Sequence, residues 1–152
     1  MVTVRHATDA DLPSLVAAEK AVFSDAWSEN ALASQLASPV GLSLVAEKDG
    51  TFVGYLLAVV MPPEGELYRI AVKPTCRGEG IADALMIFFL RVLSERGVAD
   101  VFLEVRASNT PAATLYEKHG FSVVGRRKNY YRFPDEDACV YRAALGEKDE
   151  LC

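Results

Sequence analysis

The spacing of apolar and polar residues predicts most of the secondary structure of this chain. Val2–His6 alternates with the two-residue period of a short strand. Thr8 suits a helix N-cap and Asp11, three positions on, approximates a capping box, so a helix is expected from there to about Phe23. Ala26-Trp27-Ser28 separates it from a second helix that ends before Pro39. Leu42–Lys48 and Thr51–Met61 read as strands joined by Asp49-Gly50, a strong tight-hairpin signal. Pro62-Pro63 ends the second of these, and Glu66–Val72, "ELYRIAV", is another strand, stopped by Pro74.

From Gly80 to Arg96 the apolar residues Ile81, Leu85, Phe88, Phe89 and Val92 form the face of a well-buried helix, with Gly97 as its stop. Val101–Val105 is a strand, Pro111 sits in the first turn of a further helix, and His119-Gly120 ends it. Phe121–Gly125 and Asp137–Ala144 should close the sheet. The order β-α-α-β-β-β-α-β-α-β-β predicts an α/β fold: a mixed sheet of about seven strands with four helices on its faces.

Composition narrows the function classes. At 152 residues, 51% hydrophobic and 24% charged, the chain reads as one domain over 1–146 with a polar tail at 147–152. A net charge of -5 argues against nucleic acid as partner, because phosphate binding needs a basic face, and is compatible with a cationic substrate. No segment reaches the ~18 apolar residues of a membrane span, and the N-terminus lacks a signal-peptide core, so a cytoplasmic protein is expected. Three cysteines without a CxxC, and two histidines, make a disulfide framework or a metal site unexpected. The terminal "KDELC" is read as solvated tail, since Cys152 follows the tetrapeptide.

The stretch "RGEGIADAL", Arg77–Leu85, puts two glycines one residue apart at a helix start. The unpaired N–H groups and partial positive charge there suit a phosphate; Gly78 and Gly80 let it approach, and Arg77 adds charge. Neither a GxxxxGK[ST] loop nor a dinucleotide fingerprint fits, since Asp83 stands where the latter needs glycine. Elsewhere, Glu104 lies in an apolar strand, where a carboxylate needs a task or a partner such as Arg106. Tyr116 either packs on the sheet or donates a proton, and Asn109 suits an N-cap. Trp27 is either a staple before a Ser28 cap or part of a binding groove, and Tyr130-Tyr131 is either a strand pair or a groove wall.

Arg77-x-x-Gly80-x-Ala82, following "LYRIAVKP", resembles the Q/R-x-x-G-x-G/A loop of the GCN5-related N-acetyltransferases (GNAT). "WSENAL", "LEVRASN", "TLYEKHGF", "RRKNYY" (Arg126–Tyr131) and "EDA" extend the resemblance along nearly the whole chain. They are most similar to the bacterial ribosomal-protein alanine N-acetyltransferases. The resemblance implies a mainly antiparallel GNAT sheet and acetyl-coenzyme A as co-substrate. It implies pyrophosphate contacts from Arg77, Gly78, Glu79, Gly80, Ile81, Ala82 and Asp83, and a coenzyme contact from Asn109. The backbone of Ile70, Ala71 and Val72 is implied to receive the pantetheine arm like an added strand. Glu104 is the implied proton acceptor, with Glu66 as rival, and Tyr116 the implied acid for the leaving thiolate. The implied substrate is a protein N-terminus, the N-terminal alanine of small-subunit ribosomal protein eighteen. A small-amine enzyme or a non-catalytic coenzyme A-binding module are the alternatives. Gly78 and Glu79 depart from the basic residues common in that loop, which shifts anion binding toward backbone amides.

Overall fold

The computed structural model describes residues 1–132 and 134–145, so the tail expected at 147–152 lies outside the described residues. Seven strands form one sheet in the order β1-β2-β3-β4-β5-β7-β6. They are β1 (Val2–His6), β2 (Gly41–Lys48), β3 (Thr51–Met61), β4 (Glu64–Val72), β5 (Asp100–Arg106), β6 (Ser122–Tyr131) and β7 (Glu136–Ala144). The helices are α1 (Leu12–Val22), α2 (Glu29–Ala37), α3 (Ile81–Glu95) and α4 (Thr110–Lys118). Every strand pairing is antiparallel except β4 with β5. Among the described residues, no helix is long and apolar enough to cross a membrane.

Three boundaries differ from the sequence expectation. The Thr8 N–H does bond the Asp11 carboxylate, at 2.7 Å, but it opens a single 3-10 turn and the α-helix starts at Leu12. Asp11 instead accepts two hydrogen bonds of 2.8 Å from Arg5, which ties β1 to the helix start. Pro62-Pro63 forms the turn of a β3–β4 hairpin, so β4 begins at Glu64 rather than Glu66. β6 continues past Gly125 through "RRKNYY", with a bulge between Arg127 and Tyr131 and a positive φ of 51° at Asn129. Its pairing with β7 is what carries this polar stretch as strand.

The two faces of the sheet hold separate cores. On one, Ile81, Leu85, Met86, Phe89 and Leu93 of α3 pack over Leu44, Leu56 and Leu103, joined by Tyr116 of α4. On the other, Leu15 of α1 and Leu32 of α2 pack over Tyr55, Leu57 and Ala71. Gly54 lets these layers meet at the end of β4: a Cβ there would lie 2.8 Å from the Ala71 carbonyl and 3.3 Å from Ile81.

Candidate active site

The sheet opens between β4 and β5. Their parallel pairing covers only Glu64–Leu67 against Asp100–Leu103. Leu57 registers with Arg69 and Ala58 with Leu67, so Tyr68 is the extra residue of a bulge. A bulge bends its strand, and from this point β4 and β5 part. Ile70, Ala71 and Val72 keep Leu56, Tyr55 and Gly54 of β3 as partners on one edge. Their other edge faces the opening without a strand partner among the described residues.

Glu104 is the first β5 residue beyond the shared register. Alternation puts Leu103 and Val105 in the α3-side core and leaves Glu104 on the opposite face, half-buried. Glu66 registers with Phe102, two residues before Glu104, and so shares that face. Burial, then the Glu104 charge, raises the Glu66 carboxyl above its ordinary value, with Arg127 opposing. Glu104 does not pair with Arg106. Its Oε2 faces Arg127 Nε of β6 as an ion pair without hydrogen-bond alignment. Arg106 turns to the β6–β7 connection, donating to the carbonyls of Arg132 and Pro134 at 2.8 Å and lying 4.6 Å from the Tyr131 ring.

Tyr116 lies on the other side of the opening, 7% exposed, with ring centroids 5.9 Å from Phe121 and 6.0 Å from Tyr141. Tyr141 registers with Leu103, so this ring sits at the level where the strands part. Burial raises the Tyr116 hydroxyl well above the usual tyrosine range and keeps it protonated. The candidate base and acid therefore flank the opening from opposite faces. Tyr131 is pushed up to about 12 by burial and then by Glu104, and Tyr130 is raised by the same two causes. Both tyrosines stand beside the carboxylate.

β4 leads to the glycine loop. Gly78 and Gly80 have φ of 82° and 79°, and Gly80 caps α3 with no side-chain bond. A Cβ at either would meet nothing within 4 Å, so these positions favour glycine for their left-handed backbone rather than for space. The first intrahelical bond is from the Ala84 N–H to the Gly80 carbonyl, which leaves the Ile81, Ala82 and Asp83 amides at the helix mouth for an anion. The Asp83 side chain is engaged elsewhere, with Lys118 Nζ at 3.1 Å and His119 Nε2 at 2.7 Å, so only its amide faces a ligand. Glu79 accepts from Lys48 Nζ at 2.5 Å, which offsets its charge beside the loop. Asn109 is the N-cap of α4, accepting from Ala112 N–H at 3.2 Å, and its amide NH₂ remains as a donor. Cys76 packs against the α3-side core.

An open strand edge that ends at a helix mouth fits a peptide-like arm attached to a phosphate group. Among the described residues, no cluster of three or more His, Cys, Asp or Glu side chains could hold a metal ion. Sequence reasoning missed Glu19, Arg69 and Arg127. Glu19 carried a readable signal, since it falls on the same helical row as Leu15 and both are fully buried. Ser28 does cap α2, accepting from Ala31 N–H at 3.1 Å, while the Trp27 ring packs 5.7 Å from Tyr68 at the bulge. Trp27 thus occupies the position before the cap, with its ring at the bulge.

The model of the acetyltransferase (GNAT) family matches residues 12–121. The chain is 36% identical to the N-alpha-acetyltransferase RimI of Mycobacterium tuberculosis, covering 96% of this chain and 94% of that one. It is 34% identical to the ribosomal protein bS18-alanine N-acetyltransferase of Escherichia coli, covering 92% and 95% respectively. The crystal structure of the Escherichia coli ribosomal-protein-S18-alanine N-acetyltransferase superposes with a TM-score of 0.90 at 33% identity, covering 95% and 94%. A family match over most of the length, and relatives above 30% identity along nearly all of it, lead to one conclusion: this chain belongs to the GNAT acetyltransferase family and is an N-acetyltransferase.

Proposed function

We propose that the protein transfers an acetyl group from acetyl-coenzyme A to the N-terminal amine of a protein, the alanine N-terminus of ribosomal protein bS18. The observation that carries this reading is the opening between β4 and β5, flanked by Glu104 on one face and Tyr116 on the other. The names of the relatives support the substrate. A ribosomal protein substrate makes the cytoplasm the site of action.

Acetyl-coenzyme A supplies a thioester carbonyl that an amine can attack. The free edge of Ile70, Ala71 and Val72 takes the pantetheine arm as an added strand. The loop Arg77–Asp83 takes the pyrophosphate on its amides, with the Arg77 guanidinium adding charge. The Asn109 amide offers a further donor at the start of α4.

An α-amine has a pKa of about 7.7–8.0, so a carboxylate of modest basicity suffices to take its proton. The neutral form of the amine attacks, and Glu104 accepts one of its N–H protons as the C–N bond forms. The C–S bond breaks, and Tyr116 donates its proton to the departing sulfur. Burial makes Tyr116 a weaker acid than the thiol it forms, so the transfer is late, after charge has built up on sulfur, and the tyrosinate regains its proton from solvent. Glu66 is the second candidate base, and its raised carboxyl strengthens it as a proton acceptor in a relay.

The test is acetyl transfer to an alanine-first hexapeptide, read by peptide mass and by release of the free thiol. Comparison of N-termini in cells with and without the protein identifies the substrate. Thiol release that is independent of added peptide, with no acetylated peptide, would overturn the reading.

A further inference from the structure

Glu19 is a carboxylate with no exposure in the otherwise apolar core between α1, α2 and the sheet. It is fully engaged. Oε2 accepts from the Tyr55 hydroxyl at 2.6 Å and faces Arg69 Nε at 3.4 Å as an ion pair without hydrogen-bond alignment. Oε1 accepts from the Trp27 N–H at 2.8 Å. Arg69 adjoins the bulged Tyr68 and is itself largely buried. Its Nη2 donates to the Asp25 carbonyl at 2.8 Å and to Asp25 Oδ1 at 3.2 Å, and its guanidinium lies 3.9 Å from the centroid of the Phe23 ring.

A buried ion pair is a poor source of stability, because desolvation offsets most of the attraction. This one spends its bonds on the short connection between α1 and α2. Phe23, Asp25 and Trp27 are each fixed to Arg69 or Glu19, and the Trp27 ring reaches Tyr68 at the parting of the strands. The connection therefore stands on the face of the sheet that carries Glu104, at the parting of β4 and β5.

We infer that Glu19 and Arg69 are positioning residues that hold Asp25 and Trp27 as one wall of the acceptor entrance, and that this wall gives the enzyme its preference for a peptide over a free amine. The inference rests on the proposed acetylation of a protein N-terminus and names the chain's own residues that select for it. A peptide extends past its reacting nitrogen and touches the wall, whereas a free amine does not. Asp25 adds a carboxylate that suits a cationic acceptor chain.

The experiment compares an alanine-first hexapeptide with alanine amide as acceptors, using wild type, Glu19→Gln, Arg69→Met and Asp25→Ala. Each variant is expected to lower kcat/KM for the hexapeptide about tenfold, mostly through KM, while alanine amide changes less than about twofold. The dissociation constant of acetyl-coenzyme A stays at the wild-type value. Arg69→Lys is expected to recover part of the loss, since an ammonium restores the charge but not the planar fork. Asp25→Ala alters the wall and leaves the buried pair intact, so it decides the matter if the core variants fold poorly. Parallel losses on both acceptors, or an Asp25→Ala variant with wild-type peptide KM, overturn the inference. A wild type that acetylates alanine amide as well as the hexapeptide refutes peptide selectivity itself. A wild type that acetylates neither refutes the parent reading, and this inference falls with it.

Discussion

Glu66 and Glu104 share one face of the sheet on the two strands that part, Glu66 at the level of Phe102 and Glu104 two residues further on. Burial and then the Glu104 charge raise the Glu66 carboxyl above its ordinary value. The roles of the two carboxyls can be separated experimentally.

Glu104→Gln is expected to keep acetyl-coenzyme A affinity and lower kcat by about 10²–10⁴-fold, the usual weight of a general base. Steady-state kinetics with the hexapeptide checks it. Wild-type turnover in this variant transfers the base role to Glu66.

Glu66 also leaves a mark on stability. Its carboxyl titrates above the ordinary 4.5 in the folded protein, so the native state binds more protons than the unfolded chain in that window. Its contribution therefore falls as pH rises from about 4.5 through the raised value. Chemical denaturation of wild type and Glu66→Gln against pH is expected to show the variant gaining relative stability over that rise. A difference that is flat with pH removes the burial argument for Glu66.

Acetyl-coenzyme A at 100 times its dissociation constant is expected to add ~2.7 kcal/mol, raising Tm by roughly 5–10 °C. Gly80→Val should reduce that shift. The cause is the φ of 79°, which a β-branched residue resists, since the space around Gly80 is open. Thermal scans with and without cofactor report both.

An alanine-first hexapeptide with a basic residue near its start is expected to exceed alanine amide by at least ~10²-fold in kcat/KM, which needs about 2.7 kcal/mol from remote contacts. Tyr131→Ala should erase much of that advantage and leave cofactor binding unchanged. Its ring is held by Arg106 at 4.6 Å and by Tyr130 at 5.1 Å, which fixes its position beside Glu104. Equal rates for the two acceptors would point to a small-amine enzyme.

Elements set by local pattern were readable in the sequence. Asp49-Gly50 joins its two strands with φ of 52° and 84°, as the dipeptide demands. Asn109 and Ser28 cap their helices, and Gly97 ends α3 with φ 81°. What depends on partners distant in sequence was not readable. "RRKNYY" has no strand-like alternation, and only its pairing with β7 makes it one. The bulge at Tyr68 requires knowing the register of β3 against β4. Glu104 pairs with Arg127, 23 positions away, rather than with nearby Arg106, a choice made by the approach of β6. The motifs marked the candidate residues, and long-range pairing decided which charges stand beside them.

The grip of Asp83 on Lys118 and His119 fastens the start of α3 to the end of α4. The glycine loop thereby shares one stiff unit with Tyr116, while the four steps from Tyr68 to Val72 cover about 13 Å of extended strand beyond the parting of the sheet. If the proposed donor binds along this edge, the site works as a fixed-length gauge that measures the donor from its anionic end. An acetyl thioester of cysteamine, which spans one end alone, is then expected to react far more slowly than acetyl-coenzyme A, and free pantetheine or pyrophosphate added beside it is expected not to restore the rate.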